Sequence, residues 1–113
     1  MEGLPTVKPD VLILLKAKAH LNLLVEKDAG RFVSEHDLTK HRNDVFHLAY
    51  LLRDEYAGNL PSSVSADLRK FLEMYPPKNP EWPNITARLR AFGLQELPAE
   101  TLLATIRDYF KLQ

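Results

Sequence analysis

Two lysines on an otherwise apolar segment are the first residues whose type could do chemistry. Lys16 and Lys18 stand with His20 in the run Lys-Ala-Lys-Ala-His. A lysine whose aliphatic stem is packed and whose ammonium reaches a cleft can bind a polyphosphate, because it presents a compact charge with three donors. Lysines at the edge of a core also simply extend along it to reach water. Spacing alone favours this second interpretation for both lysines, and we expect His20 at the edge of the core as well.

A second group of polar residues shares one side of a later segment. Asp37, His41 and Asp44 are spaced i, i+4 and i+7, so on a helix their side chains project from the same side. Such a group could bind a divalent metal, or Asp44 could orient another group in a cleft. The alternative is ion pairing, of Lys40 with Asp44 and of Asp37 with His41. The spacing lacks the specificity of a known zinc motif, so we expect pairs and no metal site in this chain.

Other signatures of catalysis are absent from the sequence. There is no Cys, and none of the four glycines belongs to a phosphate-binding or nucleophile motif. His36, His41 and His47 do not recur on one helical face, which excludes a three-histidine site within that segment. Trp82 could stack on a base, but we expect it to fold back and seal a small core.

The segment that carries the two lysines is predicted to be a helix from Pro9 to about Ala29, ended by Gly30. A helix that is apolar nearly all round must be covered on several sides. We expect that cover to come from the rest of this chain, from a second subunit, or from a domain that precedes it. At about 100° per residue the apolar residues form two opposite arcs, with Ile13, Leu14, Ala17, Leu21, Leu24 and Val25 on one and Leu12, Leu15, Ala19 and Leu23 on the other.

The next segment predicts a second helix that packs on the first. Ser34 is its expected N-cap, and the helix should continue to about Tyr56, before Gly58. The connection over residues 30–33 is short, so the two helices should form an antiparallel hairpin. The predicted core stripe of this second helix is Leu38, Val45, Leu48, Ala49, Leu52 and Tyr56.

Prolines mark the limits of three shorter helices in the rest of the chain. One should begin at Pro61 and end at Tyr75, one should follow Pro83 and end at Gly93, and the last should begin at Pro98. We find no convincing strand pattern, so the predicted fold is all-α, a long antiparallel hairpin followed by about three shorter helices. The residues predicted to face inward are Val64, Leu68, Phe71, Leu72, Ile85, Leu89, Phe92, Leu102, Leu103, Ile106, Tyr109 and Phe110.

Composition limits the class of protein. The chain has 113 residues, 45% of them hydrophobic, which suits one helical domain over residues 9–113 after an extended lead-in over residues 1–8. Fifteen Lys and Arg balance fifteen Asp and Glu, which argues against a general nucleic-acid binder. No apolar run approaches the roughly 20 residues that span a bilayer, and no signal peptide is recognisable, so we expect a cytoplasmic protein.

Two stretches resemble a known family. The runs KPDVLILLKAKAHLNL at residues 8–23 and KHRNDVFHL at residues 40–48 resemble the C-terminal helical region of nucleotidyltransferase-like proteins of the abortive-infection (AbiEii-type) toxin family. The resemblance covers about residues 7–53. It implies a helical half that packs on an N-terminal nucleotidyltransferase domain and lends a lysine and an aspartate to the nucleotide cleft. Lys16 matches that lysine, with Lys18 as the fallback, and Asp44 matches the aspartate.

The chain departs from the family's pattern in its catalytic half. The family carries a Gly-Ser dipeptide and paired carboxylates that bind magnesium, whereas this sequence contains no Gly-Ser. The resemblance therefore implies that the chain is inactive alone and holds no cofactor itself. Magnesium and a nucleoside triphosphate would bind only to a complete protein. The alternative is a self-contained helical interaction module, which uses the first helix to dimerise or to bind a protein partner.

Overall fold

The computed structural model describes residues 8–54, 56 and 58–112. It contains five helices: α1 (Pro9–Asp28), α2 (Glu35–Ala49), α3 (Ser62–Glu73), α4 (Trp82–Ala91) and α5 (Ala99–Tyr109). The described residues include no strand, so the predicted all-α class is confirmed. The expected lead-in lies outside the described residues, except for Lys8, which is extended.

The first two helices form the predicted antiparallel hairpin. Pro9 opens α1, where its missing amide costs nothing, and Gly30 follows the helix with a φ of 85° that favours glycine. Ser34 caps α2, since its hydroxyl accepts a hydrogen bond from the amide of Asp37. Both starts and the first stop were predicted from sequence.

The second helix ends earlier than predicted, at Ala49 and not near Tyr56. The amides of Tyr50–Leu52 bond to carbonyls three residues back, which tightens the last turn, and Asp54 then adopts a φ of 59°. Beyond this turn Tyr56 is bonded to a distant part of the chain: its amide donates to the Tyr109 carbonyl at 2.8 Å. A pairing so distant in sequence left no local signal.

The core is shared by all five helices. Helices α2 and α3 pack against α1, while α4 and α5 pack against α2. Phe46, which the predicted stripe omits, is fully buried and lies with its ring 4.8 Å from that of Trp82. Trp82 itself is buried and donates from Nε1 to the Tyr75 carbonyl at 3.0 Å, which confirms that it seals the core.

Phe92 is the main exception to the predicted inward residues. It was expected to pack inward with Leu89, but its side chain is 55% exposed. Because α4 ends at Ala91 and Gly93 turns the chain with a φ of 80°, the Phe92 ring rests on the surface, 4.7 Å from the His47 ring. No described helix is both long and apolar enough to cross a bilayer.

Candidate functional site

One carboxylate lies between two lysines where α1 meets α2. Oδ2 of Asp44 is 3.0 Å from Nζ of Lys16 on α1 and 3.0 Å from Nζ of Lys40 on α2. The side chains of Lys16 and Asp44 are about one-quarter exposed, while that of Lys40 is more open. The group carries one carboxylate against two ammonium ions, so one positive charge is left for another partner. We call these three residues the Lys16–Asp44 cluster.

Helix periodicity explains why Lys16 reaches this position. Ala17, the next residue, is buried on the inward side of α1. Lys16 is rotated by one residue, about 100°, from Ala17, which turns it to the edge of α1 that borders α2. Lys40 and Asp44 are one turn apart on α2, as the predicted i, i+4 pair requires, and that prediction is confirmed.

The two lysines control the charge of Asp44. Partial burial alone would raise the pKa of Asp44, but hydrogen bonds from Lys40 and Lys16 outweigh that effect and hold it below its ordinary value. The same contact raises the pKa of Lys40. Asp44 and Lys40 are therefore both charged at neutral pH.

His41 adjoins the Lys16–Asp44 cluster, but its Nδ1 makes no hydrogen bond with the three residues of the cluster. Nδ1 of His41 is buried and makes no hydrogen bond among the described residues. Burial and the nearby charge of Lys16 lower the pKa of His41, so the ring is neutral at pH 7. The sequence predicted that Asp37 would pair with His41; Nδ1 of His41 makes no such hydrogen bond, although the charge of Asp37 acts to raise the pKa of the ring.

The alternative metal site on α2 finds no support in the arrangement of the side chains. Within the described part of the chain, no three or more His, Asp or Glu residues are grouped so that they could hold an ion. Oδ2 of Asp44 is already taken by two ammonium groups. Asp37 is exposed to solvent on the first turn of α2.

Lys18, the fallback candidate, lies in a separate ion pair. Its Nζ is 3.0 Å from Oδ2 of Asp67 on α3, and its side chain is 55% exposed. The structure thus brings Lys16 and Asp44 together and leaves Lys18 at the opposite edge of α1. The role of all three in nucleotide binding stays a prediction.

His20 is not an edge residue, contrary to the sequence prediction. It is 3% exposed, with Nδ1 2.9 Å from the Leu38 carbonyl oxygen and Nε2 2.8 Å from the Tyr75 hydroxyl. Its ring also packs edge-on against Phe71. Both partners lie far along the chain, so the sequence pattern around His20 could not show that its polar atoms would be satisfied inside the core.

The described residues leave much of the outer side of α1 open to solvent. Leu15 is 58% and Val11 is 40% exposed, and Leu12, Ala19 and Leu23 are partly exposed. We call these five residues the outer face of α1. It includes the predicted second arc, and by helix periodicity it lies between the edge of Lys16 and the edge of Lys18. Towards the end of α1 this side becomes polar.

A buried arginine, which the sequence pattern did not reveal, lies beside the cluster. Arg42 is 6% exposed; it donates from Nη1 to Glu81 Oε1 at 2.8 Å and from Nε to Asn43 Oδ1 at 3.1 Å. Its guanidinium also lies over the ring of Tyr75. The arginine joins α2 to the start of α4, and its position between His41 and Asn43 in an amphipathic helix gave only a weak signal.

No family model matches the chain, and no curated protein or solved structure is significantly similar to it.

Proposed function

We propose that the chain is the helical C-terminal part of a nucleotidyltransferase-like protein of the AbiEii-type toxin family. In this proposal Lys16 and Asp44 complete a nucleotide cleft whose other wall is an N-terminal nucleotidyltransferase domain. The observation that carries it is the 3.0 Å contact between Lys16 Nζ and Asp44 Oδ2, two residues on different helices. The resemblance assigned these same two residues to one cleft.

The charge of the Lys16–Asp44 cluster supports a phosphate partner. Asp44 fixes the ammonium groups of Lys16 and Lys40 at one point, and the cluster keeps one uncompensated positive charge. Partial burial lowers the local dielectric constant and strengthens attraction to an anion. Lys16 would contact the triphosphate, and Asp44 would hold Lys16 in position.

The outer face of α1 supports a missing neighbour. A leucine such as Leu15 that remains more than half exposed is common by itself, but here it adjoins four further apolar side chains. A second domain packed on this face would bury them and would bring its own nucleotide cleft beside Lys16. Magnesium and the nucleoside triphosphate would then be held mainly by that domain.

The chain's own residues do not complete a catalytic centre for this reaction. Phosphoryl and nucleotidyl transfer depend on carboxylates that position metal ions at the reacting phosphate. The sequence contains no Gly-Ser signature, and the one carboxylate of the cluster is paired with lysines. The purified chain should bind nucleotide weakly and transfer none.

Nuclear magnetic resonance tests the residue assignment. Titration of the labelled chain with ATP should shift amide signals near Lys16, His41 and Asp44. The substitution Lys16→Ala should weaken this binding about fivefold or more, because it removes a charged donor to phosphate. Lys18→Ala is the matched control and should leave binding unchanged. Nucleotide transfer by the chain alone, or tight magnesium-dependent binding that survives Lys16→Ala, would contradict the proposal.

The exposed apolar side chains also favour a second candidate, a homodimerisation module without catalysis. In that case the outer face of α1 would meet the same face of a second copy across an interface above about 1,000 Å². Sedimentation equilibrium distinguishes the two candidates: a dimer that Leu15→Glu dissociates supports the module, whereas a wild-type monomer at high concentration favours the missing domain.

A further inference from the structure

A cleft of about 580 Å³ opens between α2 and α4, next to the Lys16–Asp44 cluster. Its volume lies within the range of small-molecule sites, about 300–1,000 Å³. The α2 wall is polar and the α4 wall is mixed. The side chains on which the argument depends are Lys40, Asn43, Asp44, Arg88 and Phe92.

The cleft has more positive than negative charge. Asp44 is its one acidic residue, and that carboxylate is shared between Lys40, inside the cleft, and Lys16, at its edge. Arg88 makes no ion pair with any residue that the structure describes; its guanidinium lies 5.3 Å from the centre of the Phe92 ring. Arg42 also lines the cleft, but its charge is paired with Glu81. With Lys16, Lys40 and Arg88 against Asp44, the region therefore carries two uncompensated positive charges.

A buried amide lines the same cleft. Asn43 is 8% exposed, and its Oδ1 accepts a hydrogen bond from the Nε of Arg42. That contact fixes the orientation of the amide, whose Nδ2 donates to no described residue and is not among the buried atoms that lack a partner, so it is open to water. A donor that is held in place at the surface of the cleft can exchange water for an oxyanion.

We propose that this cleft binds a small aromatic phosphomonoester. Its phosphate group would lie between Lys40 and Arg88 and accept from Nδ2 of Asn43. A phosphomonoester carries a charge of about −1.5 to −2 at pH 7, which matches the two uncompensated positive charges better than a monocarboxylate does. The planar fork of Arg88 suits phosphate oxygens. The exposed ring of Phe92, at the edge of the cleft, would stack on the aromatic part.

Charge distribution favours a small ligand over an acidic peptide. A peptide or a nucleic acid requires a row of cations along an extended groove. In this cleft the next arginine on α4, Arg90, is not among the lining residues and is paired with Glu96 at 3.2 Å. The positive charge is therefore concentrated in one compact cavity.

The inference does not rest on the proposed function. Its decisive residues, Arg88 and Asn43, are outside the Lys16–Asp44 pair. If Arg88→Gln abolishes phosphomonoester binding while ATP shifts nothing near Lys16, the cleft is real and the nucleotidyltransferase proposal fails. If ATP shifts amide signals near Lys16 while phenyl phosphate shifts none around the cleft, the cleft proposal fails and the nucleotidyltransferase proposal remains.

Calorimetry and nuclear magnetic resonance with three probes test the cleft. Phenyl phosphate supplies both the dianion and the ring, inorganic phosphate supplies the dianion alone, and benzenesulfonate supplies the ring with one charge. We expect phenyl phosphate to bind most tightly and to shift the amides of α2 and α4 around the cleft. Arg88→Gln should weaken it about tenfold or more, because a charged donor is lost from an exposed position that the fold does not need.

Two variants control the experiment. Arg90→Gln removes the same charge from the neighbouring surface of α4 and should leave binding unchanged. Phe92→Leu should weaken phenyl phosphate about threefold and leave inorganic phosphate unaffected. Equal losses in Arg88→Gln and Arg90→Gln, tighter binding of an acidic pentapeptide than of phenyl phosphate, or no shift around the cleft at millimolar probe would each overturn the proposal.

Discussion

The inner and outer sides of α1 carry similar apolar residues, but the inner side is buried and the outer side is exposed to solvent. On the inner side Ile13 is fully buried, and Ala17 and Leu21 are nearly so, under α2 and α3. On the outer side the side chain of Leu15 is 58% exposed to solvent. The apolar composition of α1 therefore predicts that the helix is buried, but the packing of α2 and α3 determines which of its sides is buried.

An ion pair marks each border between the two sides. Lys16 pairs with Asp44 on α2, and Lys18 pairs with Asp67 on α3. The two pairs are not equivalent: Lys16 is about half as exposed as Lys18, and its carboxylate is shared with Lys40. The comparison separates a concentrated charge cluster from an ordinary surface pair.

The largest expected effect is the difference between Ile13→Ala and Leu15→Ala. Ile13→Ala should lower the free energy of unfolding by about 2–5 kcal/mol, because it opens a cavity at a fully buried site. Leu15→Ala should change it by less than about 1 kcal/mol, since the side chain is mostly in water. Urea denaturation of both variants measures this. Similar losses would mean that the outer side is covered in solution.

His20 should give the next largest effect, and it depends on pH. Burial lowers the pKa of His20 despite a hydrogen bond to the Leu38 carbonyl that raises it. The native state therefore prefers the neutral ring, so stability is complete above pH 6.5 and falls as the pH drops below that value.

The substitution His20→Phe tests this account. It should cost about 1–3 kcal/mol at pH 7.5, because the Leu38 carbonyl and the Tyr75 hydroxyl lose a partner. It should also flatten the fall in stability below pH 6.5, leaving the contribution of His41, whose pKa is lowered too. Denaturation curves from pH 7.5 to 5 check both. An unchanged pH slope in the variant would show that His20 is not the titrating group.

The ion pairs should give the smallest effects. Asp44→Asn should cost about 1 kcal/mol or less, and Asp67→Asn should cost less still, because partly exposed pairs are screened by water. The pKa of Asp44 is lowered, so its contribution is present above pH 3.8 and lost as the pH falls below that value. Double-mutant cycles with Lys16→Ala and Lys18→Ala measure each pair. A larger coupling energy for Lys18 with Asp67 than for Lys16 with Asp44 would reverse this order.

Sequence could predict what depends on neighbouring residues. The start of α1 at Pro9, the turn at Gly30 and the Ser34 cap are local features, and the two arcs of α1 follow from periodicity. The Lys40–Asp44 ion pair could be predicted because the two residues are one helical turn apart. The resemblance assigned Lys16 and Asp44 to one cleft, but the direct contact between them was not predicted and is a finding of the structure.

The features that sequence missed depend on distant partners. The amide of Tyr56, beyond the end of α2, donates to the Tyr109 carbonyl, and Nε2 of buried His20 accepts a hydrogen bond from the Tyr75 hydroxyl. The ring of Phe92, which follows α4, contacts the ring of His47 on α2. None of these pairings has a local pattern, so each became visible only with the fold.

The accessibility of the outer face of α1 to a soluble paramagnetic chelate tests the central claim most directly. In a dilute sample that sediments as a monomer, the methyl groups of Leu15 and Val11 should relax strongly, and those of Ile13 and Leu21 should be protected. Strong relaxation on the outer side alone would agree with a helix that leaves one side to another domain or copy. Methyl groups of Leu15 as protected as those of Ile13 would contradict it.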